Sequence, residues 1–286
     1  MKFDTLKDKC YYYRGLTDYK LMPKGYVLMM LDGKKFSSYT KKFKKPFDEV
    51  FINAMNETAM YLCKNIEGAK IAYTQSDEIS ILLTDFEKPE TDCWFGYRLN
   101  KMLSIAASLA TSKFNQLMTL NLLDCPCSKE DAIEMIREMS LAQFDCKVWS
   151  VPTKNDVVSW FLFRQNDCIR NSVSMVGSTY FSHNELMFKN TDMVKQMLID
   201  EKNINWDEFP AGQKQGRIIV KEKFVDGVAE EDLVDELNLY LTSPLPWEEN
   251  PTKYTIRNKW VVKDAPLLND SLERDIFKYY IPSNSN

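Results

Sequence analysis

Residues 26–36 read YVLMMLDGKKF, and residues 69–84 read AKIAYTQSDEISILLT. The first stretch is an apolar run of strand length, 26–31, that stops at Asp32-Gly33. The second holds two strand-like runs, 69–74 and 79–84, parted by Gln75-Ser76-Asp77-Glu78, which predicts a hairpin. Between the two stretches Phe47, Val50, Phe51, Ala54, Met55, Leu62 and Ile66 recur at helical spacing. A helix is therefore expected over 46–67, with Pro46 in its first turn and Gly68 closing it. Further on, a long helix rich in Leu, Met, Ala and Ser is expected near 97–121 and a short one near 129–140. FDCKVWSVP (144–152) then alternates as a strand.

This β-α-β-β-α-β order is that of a ferredoxin-like sheet, which polymerase palms also use. The expected class is α+β, with a palm-like domain over 1–150. A further α/β half over 151–286 should pack on it, helical over about 153–205, with strands at 216–225 and 254–263 and a helix near 270–280. In such a sheet the first strand lies between the third and fourth and runs antiparallel to the third. Asp32, at the end of strand one, then meets Asp77 and Glu78 at the start of strand three.

Clustered carboxylates repel one another unless cations neutralise them. Magnesium takes a few carboxylate oxygens and completes its shell with water and phosphate. Two such ions suit an attack by one oxygen on a phosphate and the departure of another. Gly33 would let the backbone come close to metals and a triphosphate. The competing reading is a plain Asp-Gly turn and a polar hairpin tip.

Composition removes other chemistries. The chain has 286 residues, 44% hydrophobic and 27% charged, and a single histidine, His183, in YFSHNE, which reads as a helix end or cap. Ser-His-Asp and Cys-His hydrolysis would both need that one residue, so carboxylates, lysines, arginines and metal ions must carry any reaction. Seven scattered cysteines, with only Cys125 and Cys127 close together, argue for thiols in a reducing compartment. With no apolar run of membrane-spanning length and a polar N-terminus, a cytoplasmic protein with no membrane partner is expected.

The net charge is −4, yet residues 1–50 carry a balance of +6. KKFSSYTKKFKK (34–45) interleaves Lys34, Lys35, Lys41, Lys42, Lys44 and Lys45 with Phe36, Tyr39 and Phe43. Lysines beside a carboxylate cluster suit the phosphates of a nucleotide or an RNA end. The aromatics suit base stacking, and Phe36 equally suits the core. Arg98 and Lys101, three apart near the start of the long helix, are candidates for a triphosphate, against the alternative of a solvated face. Lys214, Arg217, Lys221 and Lys223 form a second basic group, equally readable as an exposed strand. Asp226, Glu230, Glu231, Asp232, Asp235 and Glu236 form an acidic one.

LDGKKF (31–36), AYTQSDEIS (72–80), RLNKMLSIAAS (98–108), FDCKVW (144–149) and RQNDCIRNSVSM (164–175) together resemble the tRNA-histidine guanylyltransferase family, in particular its guanylyltransferase-like branch. The resemblance implies a palm, two Mg²⁺ ions, ATP and GTP as substrates, tRNA as partner and a homotetramer. It implies nucleotide addition to the tRNA 5′ end, in the 3′-to-5′ direction, after ATP or GTP activates that end. By its motifs Asp32, Gly33 and Asp77 would hold metal, with Glu78 beside them as a further catalytic carboxylate. Gly33, Lys34, Lys35, Phe36, Ser37, Lys45, Ser76, Arg98 and Lys101 would contact nucleotide. Lys41, Lys42, Arg170 and Asn171 would contact RNA.

Cys168-Ile169-Arg170-Asn171 stands where the histidine-specific branch has His-Ile-Asn-Asn, which implies template-directed repair of 5′-truncated tRNAs. Met30 stands where an Arg is common. Rival functions are histidine-tRNA-specific G addition, a palm-type nucleotide cyclase, which would release cyclic nucleotide without RNA, and a non-catalytic RNA-binding protein, which would show no Mg²⁺-dependent turnover.

Overall fold

The computed structural model describes residues 3–88, 90–124, 128–226 and 255–284. Cys125, Cys127 and the acidic group at 230–236 lie outside them. In chain order the helices are α1 (Leu6–Gly15), α2 (Phe36–Tyr39), α3 (Glu49–Asn65), α4 (Leu99–Leu123), α5 (Lys129–Glu138), α6 (Lys154–Tyr180), α7 (His183–Leu186), α8 (Thr191–Lys202), α9 (Ala211–Lys214) and α10 (Ser271–Tyr279). The strands are β1 (Tyr26–Gly33), β2 (Ala69–Gln75), β3 (Glu78–Leu83), β4 (Phe144–Val151), β5 (Arg217–Asp226) and β6 (Thr255–Asp264). They lie in the order β4-β1-β3-β2-β5-β6, with β1 antiparallel to both β3 and β4. The first four strands thus have the ferredoxin-like order that the sequence predicts. Met1–Val220 and Val262–Asn286 form one compact unit and Lys221–Val261 a second. Within the second, Lys221 lies over the Trp260 ring and Lys259 over that of Phe224.

β1, β2 and β3 are covered on both faces, which explains why they read as unbroken apolar runs. β3 is buried at every position and β2 at all but one. On one face α3 and α4 pack together and against the sheet, and an aromatic cluster fills the end near Gly33. There the Phe36 ring lies 5.6 Å from Phe114 and 5.2 Å from Phe144, centre to centre. On the other face lies α6: Trp160 donates to the Ser80 hydroxyl at 3.1 Å and stacks edge-on to Trp149 at 4.6 Å. Phe161 reaches both Tyr73 and Phe277 of α10. The buried Gln165 side chain ties this layer to the C-terminal segment, accepting from the Leu268 amide at 2.7 Å and donating to the Pro266 carbonyl at 2.8 Å.

Local chemistry sets the helix starts. Asp48 accepts from the Phe51 amide at 3.0 Å, and Thr153 and Asp156 form a capping box at the head of α6. Pro46 therefore does not sit in the first turn of α3, because the Asp48 cap starts the helix three residues later. The helix ends at Asn65, and Gly68 serves the turn beyond it with φ of +83°. A Cβ on Gly68 would stand 2.8 Å from the Thr84 carbonyl oxygen, so glycine is needed there. His183 opens α7 behind the Ser182 cap.

Candidate active site

The β1–β3 register pairs Asp32 with Glu78, and the β1–β4 register pairs Asp32 with Asp145. Residues directly opposite in an antiparallel pair share a face, so the three carboxylates lie in one row across the sheet. Asp77 joins them from the two-residue hairpin turn, where Ser76 takes a left-handed backbone (φ 48°) and donates its hydroxyl to Asp77 at 3.0 Å. Burial pushes the Asp32 carboxyl above its usual range, and Asp145 adds to this, against Lys147, the Gly33 amide and Arg164. Burial likewise raises Asp77; the Ser76 hydroxyl opposes that, and the charges of Asp32 and Glu78 add to it. Neither Asp32, Asp77 nor Asp145 forms a salt bridge with a described residue. Like charges are thus gathered at one edge, and none of these three aspartates is in an ion pair with a described residue, an arrangement costly unless a cation from outside relieves it.

Glu78 differs from its neighbours. Its carboxylate accepts from Arg164 Nε at 2.7 Å and Nη2 at 2.5 Å, and from Gln75 and Ser80 at 3.3 Å each. Arg164 donates its remaining arm to Asp167 at 2.6 Å, and Asp167 also meets Arg170. One face of α6 thus runs from the carboxylate row to the exposed Arg170, with Asn171 beside it.

The segment after Asp32 divides between core and surface. Gly33 is forced by packing: a Cβ there would lie 2.2 Å from the Phe36 ring. The Phe36 ring itself is buried, so of the expected contacts only its backbone remains available to a nucleotide. Lys34 is anchored beside the row, its amide donating to the Gln143 carbonyl at 2.8 Å and its Nζ to the Gln143 side chain at 3.3 Å. Lys35, Ser37, Lys41 and Lys45 are exposed, and Lys42 pairs with Glu138 at 2.6 Å. A cavity of about 390 Å³ opens beside Asp145, with Lys34, Ser108, Thr111 and Gln143 in its wall.

Arg98 and Lys101 do not join this edge. β3 runs away from Glu78, and α4 begins where β3 ends: Arg98 bridges to Lys20, Leu99 donates to Tyr19, and Tyr97 reaches Asp85. The helix returns to the carboxylate end only at Thr111, which accepts from the Phe144 amide opposite Gly33. At the helical rise the two basic residues start roughly 15–20 Å away along the axis. Arg98 is moreover the cap of α4 and not part of it, and Lys101 lies 4.3 Å over the Phe95 ring.

The family model for tRNA(His) guanylyltransferase matches residues 9–152, half the chain and all four carboxylates of this row and its turn. The chain belongs to that family. Its members are nucleotidyltransferases, and so is this chain. A solved bacterial tRNA(His) guanylyltransferase-like protein in complex with ATP is 33% identical, with a TM-score of 0.76, covering 97% of this chain and 99% of its own. A bacterial structure of the same description in complex with GTP is 31% identical, with a TM-score of 0.71 and the same coverage. The uncharacterized protein R259 of Acanthamoeba polyphaga mimivirus is 31% identical over 231 residues, 77% of this chain and 78% of that protein.

Sequence reasoning passed over Asp145, Lys147 and Arg164. The alternation of FDCKVW puts Asp145 and Lys147 on one face, and the strand order then sets Asp145 against Asp32, so this pair was within reach. Arg164 was not, because only the packing of α6 aims it at Glu78.

The row also fits magnesium. Among the described residues no three His, Cys, Asp or Glu form a ready-made metal cage. Magnesium seldom uses one; a pair of carboxylates plus substrate phosphates is its habit, and Asp32 and Asp77 are such a pair.

Proposed function

We propose that this chain adds nucleotides to the 5′ end of tRNA in the 3′-to-5′ direction, repairing 5′-truncated molecules by copying the opposing strand. The observation that carries this reading is the open pair Asp32 and Asp77, crowded by like charge and in no salt bridge with a described residue. Asp32 and Asp77 would hold two Mg²⁺ ions, which supply Lewis-acid activation of the attacking hydroxyl and neutralise charge on the phosphates. Lys34, fixed against Gln143, would hold a phosphate beside the row, and Lys35, Ser37, Lys45 and Ser76 would add contacts. The cavity beyond Asp145 offers the nucleotide room within the usual ligand-pocket range. Lys41, Lys42, Arg170 and Asn171 would hold the RNA by shape and phosphate, as structured RNA is generally gripped. ATP or GTP would activate the 5′ end, and the 3′-hydroxyl of the incoming nucleotide would then displace the activating group.

Arg98 and Lys101 would serve a triphosphate at this edge from another copy of the chain, which supports self-association, and the assembly would be a homotetramer. Cytoplasmic residence is consistent with the thiols Cys10, Cys93, Cys146 and Cys168, which form no disulfide among the described residues, and with the absence of any described helix long and apolar enough to span a membrane.

The test is a 5′-truncated tRNA with ATP, Mg²⁺ and labelled nucleotides, varying separately the template base and the anticodon. The added base should follow the template and ignore the anticodon. A second reading, G addition specific to histidine tRNA, is favoured by the name of the matching family. Addition of G whatever the template, with strict need for the histidine anticodon, would establish it instead.

A further inference from the structure

Among the acidic side chains at the sheet edge, Glu78 alone is filled from within. A carboxylate offers about four lone-pair positions, and Glu78 accepts four hydrogen bonds: two from Arg164, one from Gln75 and one from Ser80. The pair is bidentate and nearly enclosed, with side-chain exposures of 5% for Glu78 and 13% for Arg164. Among the described residues Asp77, next in sequence, accepts from a side chain only through the Ser76 hydroxyl, and Asp32 accepts from none. Arg164 is itself held by Asp167, which Arg170 braces from the other side. The guanidinium is therefore fixed in orientation by α6 before any substrate arrives.

We propose that Arg164 is a positioning residue that keeps Glu78 out of cation coordination and leaves Asp32 and Asp77 as the ligands. This proposal rests on the two-cation reading of the site. Its logic is one of charge and geometry. Were Glu78 free, it would stand opposite Asp32 and one residue from Asp77, and it would capture an ion in an extra, tighter arrangement. An over-held ion loses the open positions that water and phosphates must occupy. By binding both oxygens of Glu78, Arg164 removes that competitor and fixes the start of β3, and with it the Asp77 turn.

The test uses the full chain, with Mn²⁺ as probe ion in titration calorimetry and nucleotide addition as the second readout. Arg164→Met should bind Mn²⁺ about tenfold more tightly than wild type while kcat falls about 10–100-fold and KM for nucleotide stays within about threefold. General damage to the site would weaken Mn²⁺ binding, so the opposed directions separate positioning from mere structure. Adding Glu78→Gln to Arg164→Met should return Mn²⁺ affinity to the wild-type value. Asp167→Asn should show the same two changes, each smaller. If Arg164→Met fails to fold, Arg164→Lys, which keeps the charge but fills fewer oxygen positions, should still tighten Mn²⁺ binding by about threefold. A folded variant with unchanged or weaker Mn²⁺ affinity, or with wild-type kcat, overturns the proposal. Wild-type protein that binds no Mn²⁺, or binds it equally well as Asp32→Asn, overturns the two-cation reading beneath it.

Discussion

The two ends of one sheet carry buried or half-buried aspartates that have opposite fates. At the far end Asp85, 1% exposed, accepts from the Lys24 amide at 2.8 and 3.0 Å and from the Tyr97 hydroxyl at 3.3 Å, while Lys24 Nζ donates to the Asp85 carbonyl at 2.8 Å. At the near end Asp32 and Asp77 share an edge with Glu78 and Asp145 and have no salt bridge with a described residue. Asp85 is a polar knot whose partners come from the fold, joining the N-terminal segment to the loop after β3. The near end is acidic in a way the fold does not resolve. A carboxylate satisfied from inside holds structure together, whereas one crowded and left open waits for something from outside.

That contrast can be broken most directly by exchanging the two losses. Asp32→Ala or Asp77→Ala should abolish nucleotide addition, a barrier increase of several kcal/mol, while the melting curve stays close to wild type. Asp85→Ala should do the reverse, costing roughly 2–3 kcal/mol of stability, because buried donors lose their acceptor, with activity per folded molecule retained. Urea unfolding monitored beside single-turnover assays would decide. An Asp77→Ala protein that keeps more than a few per cent of wild-type activity would remove the functional half of the comparison.

Gly33 tests how closely core and site are joined at the near end. Gly33→Ala forces a methyl against the buried Phe36 ring and should destabilise the chain by roughly 1–3 kcal/mol. Because Gly33 follows Asp32 directly, turnover should fall as well. A loss of stability with full turnover would show that the Phe36 cluster does not set the position of Asp32.

The far end enters the reaction, if at all, through a second copy. Mixing inactive Asp32→Ala chains with inactive Arg98→Ala chains should restore about a quarter of wild-type activity, the share of sites with both intact parts under random pairing. No recovery in mixed oligomers would confine Arg98 to its bridge with Lys20.

The smallest expected effect is electrostatic. The carboxyl groups of Asp32 and Asp77 are raised, so the folded chain holds these protons more tightly than the unfolded chain does. Without divalent ions their contribution is favourable at acid pH and is lost as pH climbs through the raised values. Asp32→Asn should therefore melt roughly 2 °C higher than wild type at pH 7 in chelator, and the gap should close at pH 4. Added Mg²⁺ should raise the wild-type melting temperature and leave that of Asp32→Asn nearly unchanged.

Much of this was legible in the chain itself. The run ending at Asp32-Gly33, the hairpin break at 75–78 and the alternation of FDCKVW defined three strands and their neighbour by local pattern, and topology then brought Asp32 to Glu78. Periodicity and turn chemistry act within a few residues, so a sequence displays them directly. The same reasoning missed α1, which buries none of its residues and so leaves no apolar stripe to read. Nor did it show that Arg98 and Lys101 start at the other end of the sheet, because nearness in sequence to the hairpin says nothing about which end of β3 the chain has reached.

The sequence by itself determined the order of the first four strands, the meeting of Asp32 with Asp77 and Glu78 and, through its motifs, the family, since each follows from pattern and spacing along one chain. Only the tertiary structure decided which carboxylates are open. Whether Glu78 faces a cation or an arginine depends on where α6 crosses the sheet, and that crossing is fixed by the packing of Trp160 and Phe161 on side chains distant in sequence. Whether Phe36 meets a base or the core depends likewise on Phe114 and Phe144, brought to it by two other elements. Charge and hydrophobicity are properties of residues, but satisfaction and exposure are properties of neighbours, and neighbours exist only once the chain has folded.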